Sequence, residues 1–128
     1  MGWTLQDFYN NEKNSAGRKE VMIEMNGEKK PVLISKVLIS QSDKYTDVRN
    51  DKGTVDYFAE VLIDHVFHAE TGEPLFNKVD ILAESGYSSV AKFVDEKLPP
   101  GFVLDIQTAI NEFSGIKPRQ ERIEDLKN

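Results

Sequence analysis

The stretch EVMIEMNGEKKPVLISKV, residues 20–37, constrains the fold more than any other part of the chain. Val21, Ile23 and Met25 alternate with Glu20, Met22 and Glu24, which is the period of a strand. Asn26-Gly27 follows, a pair in which both residues tolerate positive φ, so a two-residue hairpin turn is expected there. The return strand is read as Val32 to about Leu38. Pro31 has no backbone donor and suits the start of that strand or a sheet edge. A two-stranded hairpin is marginal in water. It must rest on helices, pair with a third strand, or pair with another subunit.

The flanking segments read as helical. Thr4 is a good N-cap, Asp7 can bond back to it, and Trp3 can touch Phe8, so a short helix is expected from Leu5 to about Asn11. The same segment, short and Asn-rich, also reads as a frayed terminus, and residues 11–18, NEKNSAGR, read as a flexible linker. Residues 41–53 are polar and read either as a helix with Tyr45 and Val48 on one side or as a long loop. Thr54 is expected to cap a helix, VDYFAEVLIDHVF, with Val55, Phe58, Ala59, Leu62 and Val66 inward and Asp56, Glu60 and Asp64 on the opposite side.

Asn77 is expected to cap KVDILAES, and Gly86 to end it. Ser88 or Ser89 starts VAKFVDEKL, which Pro99-Pro100 breaks. The last helix carries Phe102, Ile106, Ala109, Ile110 and Phe113 on one stripe, and Gly115-Ile116 fits its stop. The expected fold is mainly α, of the α+β class: a small domain of four to six helices with one N-terminal β-hairpin. The expected organisation is an N-terminal helix and linker (1–18), a domain (19–116, with the hairpin at 19–38 and helices over 54–115), and a charged, flexible C-terminal tail (117–128).

Composition narrows the function. The 128 residues carry 16 Lys and Arg against 22 Asp and Glu, a net charge of −6. That balance argues against nucleic acid, whose phosphates call for a basic face. No cysteine is present, so disulfides, thiolate zinc sites and cysteine nucleophiles are excluded. A cytoplasm is the simplest compartment for such a chain. No apolar run of about 18 residues exists and no signal-peptide core is read, so no membrane partner is expected.

Both histidines fall in DHVFHAETGEPLF, residues 64–76. His65, His68 and Glu70 are weak metal candidates, with Asp64 nearby. The spacing is not H-E-x-x-H, and no third histidine exists. The competing reading gives His65 to the last helical turn, where a cation suits the helix dipole, and lets His68 pair with Asp64 or face water. Gly72 and Pro74 then mark a helix exit and reversal, with Gly72 at positive φ. No G-x-S-x-G elbow and no Gly-rich phosphate loop occur, and Asp43, Asp47 and Asp51 read as a solvated face. No catalytic residue, cofactor or metal is expected, and the chain is read as a non-enzyme.

The order of these motifs resembles a known family. A helix V-x-x-F-A-x-V-L-I-x-H-V-F leads into A-E-T-G-E-P-L-F. A short acidic-capped helix, a helix ending K-L-P-P and a last helix A-I-N-E-F-S-G-I follow. This pattern resembles the tail assembly chaperones of long-tailed bacteriophages, over roughly residues 19–116, most specifically at Glu70–Phe76 and Ala109–Ile116. The resemblance implies a protein that binds the tape measure protein, keeps it soluble in the host bacterial cytoplasm and promotes tail tube assembly around it. It implies absence from the mature virion. It also implies a longer frameshifted form that engages the tail tube protein, for which the codons of Lys127-Asn128 would supply the slippery site.

Self-association is expected from the unsupported hairpin. Partner contacts are placed on Val21, Ile23, Val32 and Ile34, each of which reads equally well as ordinary core. The alternatives are a phage structural protein (a tail terminator or head-tail connector) and a small metal-dependent enzyme using His65, His68 and Glu70.

Overall fold

The computed structural model describes residues 2–9 and 17–116. Six helices and three strands form among them: α1 (Leu5–Tyr9), β1 (Arg18–Met25), β2 (Glu28–Ser35), α2 (Ile39–Lys52), α3 (Thr54–His65), β3 (Val66–His68), α4 (Lys78–Ser85), α5 (Val90–Lys97) and α6 (Pro100–Phe113). The α+β class read from the sequence holds. Residues 10–16 and the tail 117–128 lie outside the described residues, and Arg18, expected to end the linker, instead opens β1 because it pairs with Ser35.

The hairpin closes through Asn26 and Gly27, at φ 54° and 86°, which is the turn whose twist matches two antiparallel strands. Met25 faces Glu28, and the register runs back to Arg18 opposite Ser35. The return strand therefore begins at Glu28 and ends at Ser35, not at Val32 and Leu38 as expected. The tight turn sets the start: once two residues close the loop, the next pairs at once, although Glu28, Lys29 and Lys30 carry no apolar signal.

The hairpin gains both kinds of support. β3 pairs antiparallel with β2 in the order β1-β2-β3, placing Phe67 opposite Leu33 and Val66 opposite Ile34. The predicted helix ran through these residues to Phe67. It stops instead at His65, and Val66 takes extended backbone angles. The free edge of β2 offers backbone partners to a Val-Phe-His run that is already β-prone, so pairing overrides the helical period. The other support is α6, which packs on both β1 and β2.

α6 is the seam of the core. Ile106 and Ile110 are fully buried and Val103 nearly so, with Phe102, Ala109 and Phe113 half-buried beside them. Its end is closed by two bonds, from the Gly115 amide to Glu112 O at 3.1 Å and from the Ile116 amide to Asn111 O at 2.8 Å. That pair is a Schellman stop, as the Gly115-Ile116 signal predicts. Ser114 Oγ accepts from the Val37 amide at 2.8 Å and donates to Ile110 O at 2.6 Å, so the helix end also ties down the β2–α2 link.

The polar stretch 41–53 is a helix. Tyr45 is buried and Val48 half-buried on its inner side, while Asp43, Asp47 and Asp51 are exposed. Gly53 ends α2 and starts α3 at φ 107° and ψ 179°, a conformation essentially reserved for glycine. Thr54, expected as the cap, is instead the first helical residue, because Gly53 already supplies the reversal. The other caps fall where expected. Asn77 Oδ1 accepts from the Asp80 amide at 3.1 Å and Ser89 Oγ from the Lys92 amide at 3.2 Å, and Gly86 ends α4. Thr4 and Asp7 cap α1 reciprocally, and Trp3 lies against Phe8 with ring centroids 6.1 Å apart. No described helix is long and apolar enough to cross a membrane.

Candidate functional site

The concentration of polar chemistry in the core lies where α2, α3 and the end of β2 meet. His65 and Tyr45 are the buried residues of the described core that carry ionisable side chains. His65 sits on the inward side of α3, after Val61 and Leu62, with the fully buried Val66 next to it. Its Nδ1 lies 2.9 Å from Ser35 Oγ and its Nε2 lies 2.7 Å from the Tyr45 hydroxyl. The same hydroxyl donates to Asp64 Oδ2 at 2.7 Å. Lys44 Nζ donates to that carboxylate at 3.1 Å and approaches Glu60 at 3.4 Å.

These contacts fix the protons. A tyrosine hydroxyl has one hydrogen, and an ionised Asp64 can only accept, so Tyr45 spends its proton there. The Tyr45 oxygen then accepts from His65 Nε2–H. Nδ1 is left as the acceptor, and Ser35 donates to it. The chain of donors runs Ser35, His65, Tyr45, Asp64, and no buried side-chain polar atom among the described residues lacks a partner.

The electrostatics favour this uncharged imidazole. Burial pushes the His65 pKa down, against the upward pull of Asp64. Burial and then the hydrogen bond to Asp64 push Tyr45 far above its ordinary range. Burial would lower Lys44, but Asp64 and Glu60 outweigh it and hold the ammonium above its usual value. His65 does fall in the last turn of α3, as expected, but its burial there disfavours the charged form. The acidic side of α3 is corrected: Glu60 and Asp64 face the seam with α2 rather than open solvent.

A hydroxyl held on an imidazole also resembles a serine nucleophile with its base. A recess of about 170 Å³ opens beside it, lined by Ser35, Lys36, Leu38, Gln41 and His65. Acyl transfer further requires donors aimed at a developing oxyanion. Two of the nearby amides are committed elsewhere: Val37 N–H goes to Ser114 Oγ, and Leu38 N–H to Gln41 Oε1 at 3.0 Å. The network reads as a fully satisfied polar joint that orients α2 against α3 and the sheet.

The three metal candidates are not brought together. His65 has both ring nitrogens engaged. His68 lies three residues on, in β3, exposed, and Asp64 is held by Lys44 and Tyr45. Glu70 is exposed in the turn beyond β3. No group of three potential ligands gathers among the described residues. The turn itself follows the sequence reading. Gly72 takes φ 76°, its amide bonds to His68 O at 2.9 Å, and Phe67 bridges Pro74. Arg18 holds the reversal from across the sheet, with Nη1 2.7 Å from Gly72 O and its guanidinium 3.6 Å above the Phe67 ring.

No protein-family model matches the chain, and no curated protein or solved structure matches it. The surface must therefore speak for itself.

Two apolar grooves open on it. One, of about 360 Å³, lies between the hairpin and α6 and is lined chiefly by Ile23, Met25, Pro31, Val32, Leu75 and Phe102. The other, of about 240 Å³, lies between α3, α5 and the start of α6, around Val55, Phe58, Leu98 and Leu104. Of the four residues expected to meet a partner, Ile23 and Val32 form the floor of the first groove, and Val21 is half-buried in β1. Ile34 has no exposed surface, and Ile23 and Val32, at 7% and 8% exposed, belong to the same buried core while also lining that groove. The strand position of Ile34 gave the same signal as that of Val32; only the packing of α6 and β3 separates them.

Proposed function

We propose that this chain is a non-catalytic binding protein of the tail-assembly-chaperone type, which holds the phage tape measure protein soluble in the host cytoplasm before the tail tube forms around it. The observation that carries this reading is the groove between the hairpin and α6. It is apolar, open, and floored by Ile23 and Val32. An amphipathic helix presents apolar anchors at spacings of three and four residues, and a groove of this kind is what such anchors occupy. Exposed apolar side chains elsewhere agree with a life spent against partners. Ile39 is 91% exposed, and Trp3 just before α1 and Leu5, Phe8 and Tyr9 within it are all exposed.

The test is co-expression with the tape measure protein encoded beside it. The soluble fraction of that protein should rise several-fold with the wild-type chain. Met25→Lys, which places a cation on the groove rim at a residue 41% exposed, should remove most of that gain while leaving the urea midpoint unchanged. A tape measure equally insoluble with and without the chain would end this reading. The longer form that engages the tail tube protein is part of the same proposal, checked by mass spectrometry of the infected-cell product.

A further inference from the structure

The three-stranded sheet has an open side. In the order β1-β2-β3, no described strand pairs with the outer edge of β1. That edge is eight residues long. An unpaired edge of this length is a template for another strand.

The hairpin geometry says which groups it offers. A two-residue turn is flanked by a pair that exchanges both hydrogen bonds, here Met25 and Glu28. Alternation then commits Lys19, Val21, Ile23 and Met25 to β2. The amides and carbonyls of Arg18, Glu20, Met22 and Glu24 point outward. A second copy arriving antiparallel must therefore match members of this second set with each other. Such pairing also keeps the apolar faces of both sheets on one side.

Few registers satisfy that rule, and charge separates them. Centring the pair on Glu20 opposes that carboxylate to its own copy. Centring it on Met22 opposes Glu20 to Glu24 twice. Like charges placed directly opposite are destabilising. Centring it on Ile23 avoids the clash but leaves only Met22 and Glu24 to bond.

Centring it on Val21 sets Glu20 opposite Met22 and Glu24 opposite Arg18, with every outward group used. The Arg18 guanidinium is already drawn to Gly72 O, so its pull on Glu24 is long-range. The selection comes mainly from removing the carboxylate clashes. Met22, an exposed apolar side chain in a strand face otherwise charged, gains the methylenes of Glu20 as cover.

We propose that two copies of this chain join through antiparallel β1 edges centred on Val21, making a continuous sheet in the order β3-β2-β1-β1-β2-β3. Charge removes the registers centred on Glu20 and Met22, and the number of outward groups that find partners separates Val21 from Ile23. The dimer is independent of the tape measure reading and is tested on the chain alone.

The chain has no cysteine, so introduced thiols report without background. On the axis, residue 21 faces its own copy in a non-hydrogen-bonded pair, where Cα atoms come within about 4.5 Å and a disulfide closes without strain. Val21→Cys is expected to form disulfide dimer under mild oxidation roughly tenfold faster than Glu20→Cys or Met22→Cys alone, each of which is offset from itself. Mixing Glu20→Cys with Met22→Cys should restore cross-linking, as the mixed dimer only. Both of those side chains are exposed, so this arm stands even where Val21→Cys disturbs folding. Equal rates for the three single variants, self-linking at residue 20, or a mixture that stays monomeric would each overturn the proposal.

Discussion

Ile106→Ala is expected to cost about 2–5 kcal/mol of folding stability, the largest loss of any single truncation considered. Ile106 has no exposed surface and sits mid-way along α6, the element that touches β1, β2 and α3. Removing three carbons there leaves a cavity that the sheet, α6 and α3 cannot all close upon at once. Stabilities of small domains are commonly only about 5–15 kcal/mol, so this change consumes a large share. Urea unfolding checks it: the midpoint should fall sharply with the slope unchanged. Leu104→Ala, two residues away on the same helix but more than half exposed, should shift stability by no more than about 0.5 kcal/mol. Equal effects at the two positions would mean that α6 is not the seam of the core.

Tyr45→Phe is expected to cost about 1–3 kcal/mol although it removes only one oxygen and keeps the ring. The phenyl ring keeps its edge contact with Tyr57, whose centroid lies 6.1 Å away. What is lost is the acceptor for His65 Nε2–H, a buried donor with no other partner in reach. Asp64 loses one donor but retains Lys44. The same site gives the protein an acid limb. In the unfolded chain His65 titrates near its ordinary 6.5, while in the fold burial holds it lower.

Well above pH 6.5 the imidazole is neutral in both states and its contribution is complete. As pH falls below that value the unfolded state takes up a proton that the folded state refuses, so stability drops until the folded pKa is reached. Each pH unit in that window removes at most about 1.4 kcal/mol. Lys44, Asp64 and Glu60 are the charged groups gathered around this site. His65→Gln, measured by urea midpoint between pH 7 and pH 5, should lack this component. An unaltered acid limb would locate the proton uptake elsewhere.

The reach of the sequence is plain in the elements that depend on neighbours in the chain. The Asn26-Gly27 turn, the Asn77 and Ser89 caps, the Gly86 and Gly115 stops and the Thr4–Asp7 box are each set within about one turn of backbone, and each was legible. Where a distant segment decides, the pattern misled. Val66 and Phe67 fit a helical stripe until β2 supplied an edge. Asp64 fits a solvated face until Tyr45 and Lys44 arrived from α2, about twenty residues earlier in the chain.

The polar joint at His65 left only a faint trace: a histidine set among Val61, Leu62 and Val66 has to be buried, and a buried imidazole needs two partners. Nothing local names Ser35 and Tyr45 as those partners. Val32 and Ile34 show the same limit at a surface, since alternation puts both inward and cannot say which one a groove will uncover.

The placement of α6 has a consequence for how the molecule is made. It is the last described element, yet it covers the first two long ones. A ribosome that has finished Ser35 must add another 78 residues before Phe113 exists, taking about 4–16 s at ordinary synthesis rates. Throughout that interval the nascent hairpin has a register but no cover for Ile23, Val32 and Ile34. The strands are drafted early, and only the closing helix makes them a core.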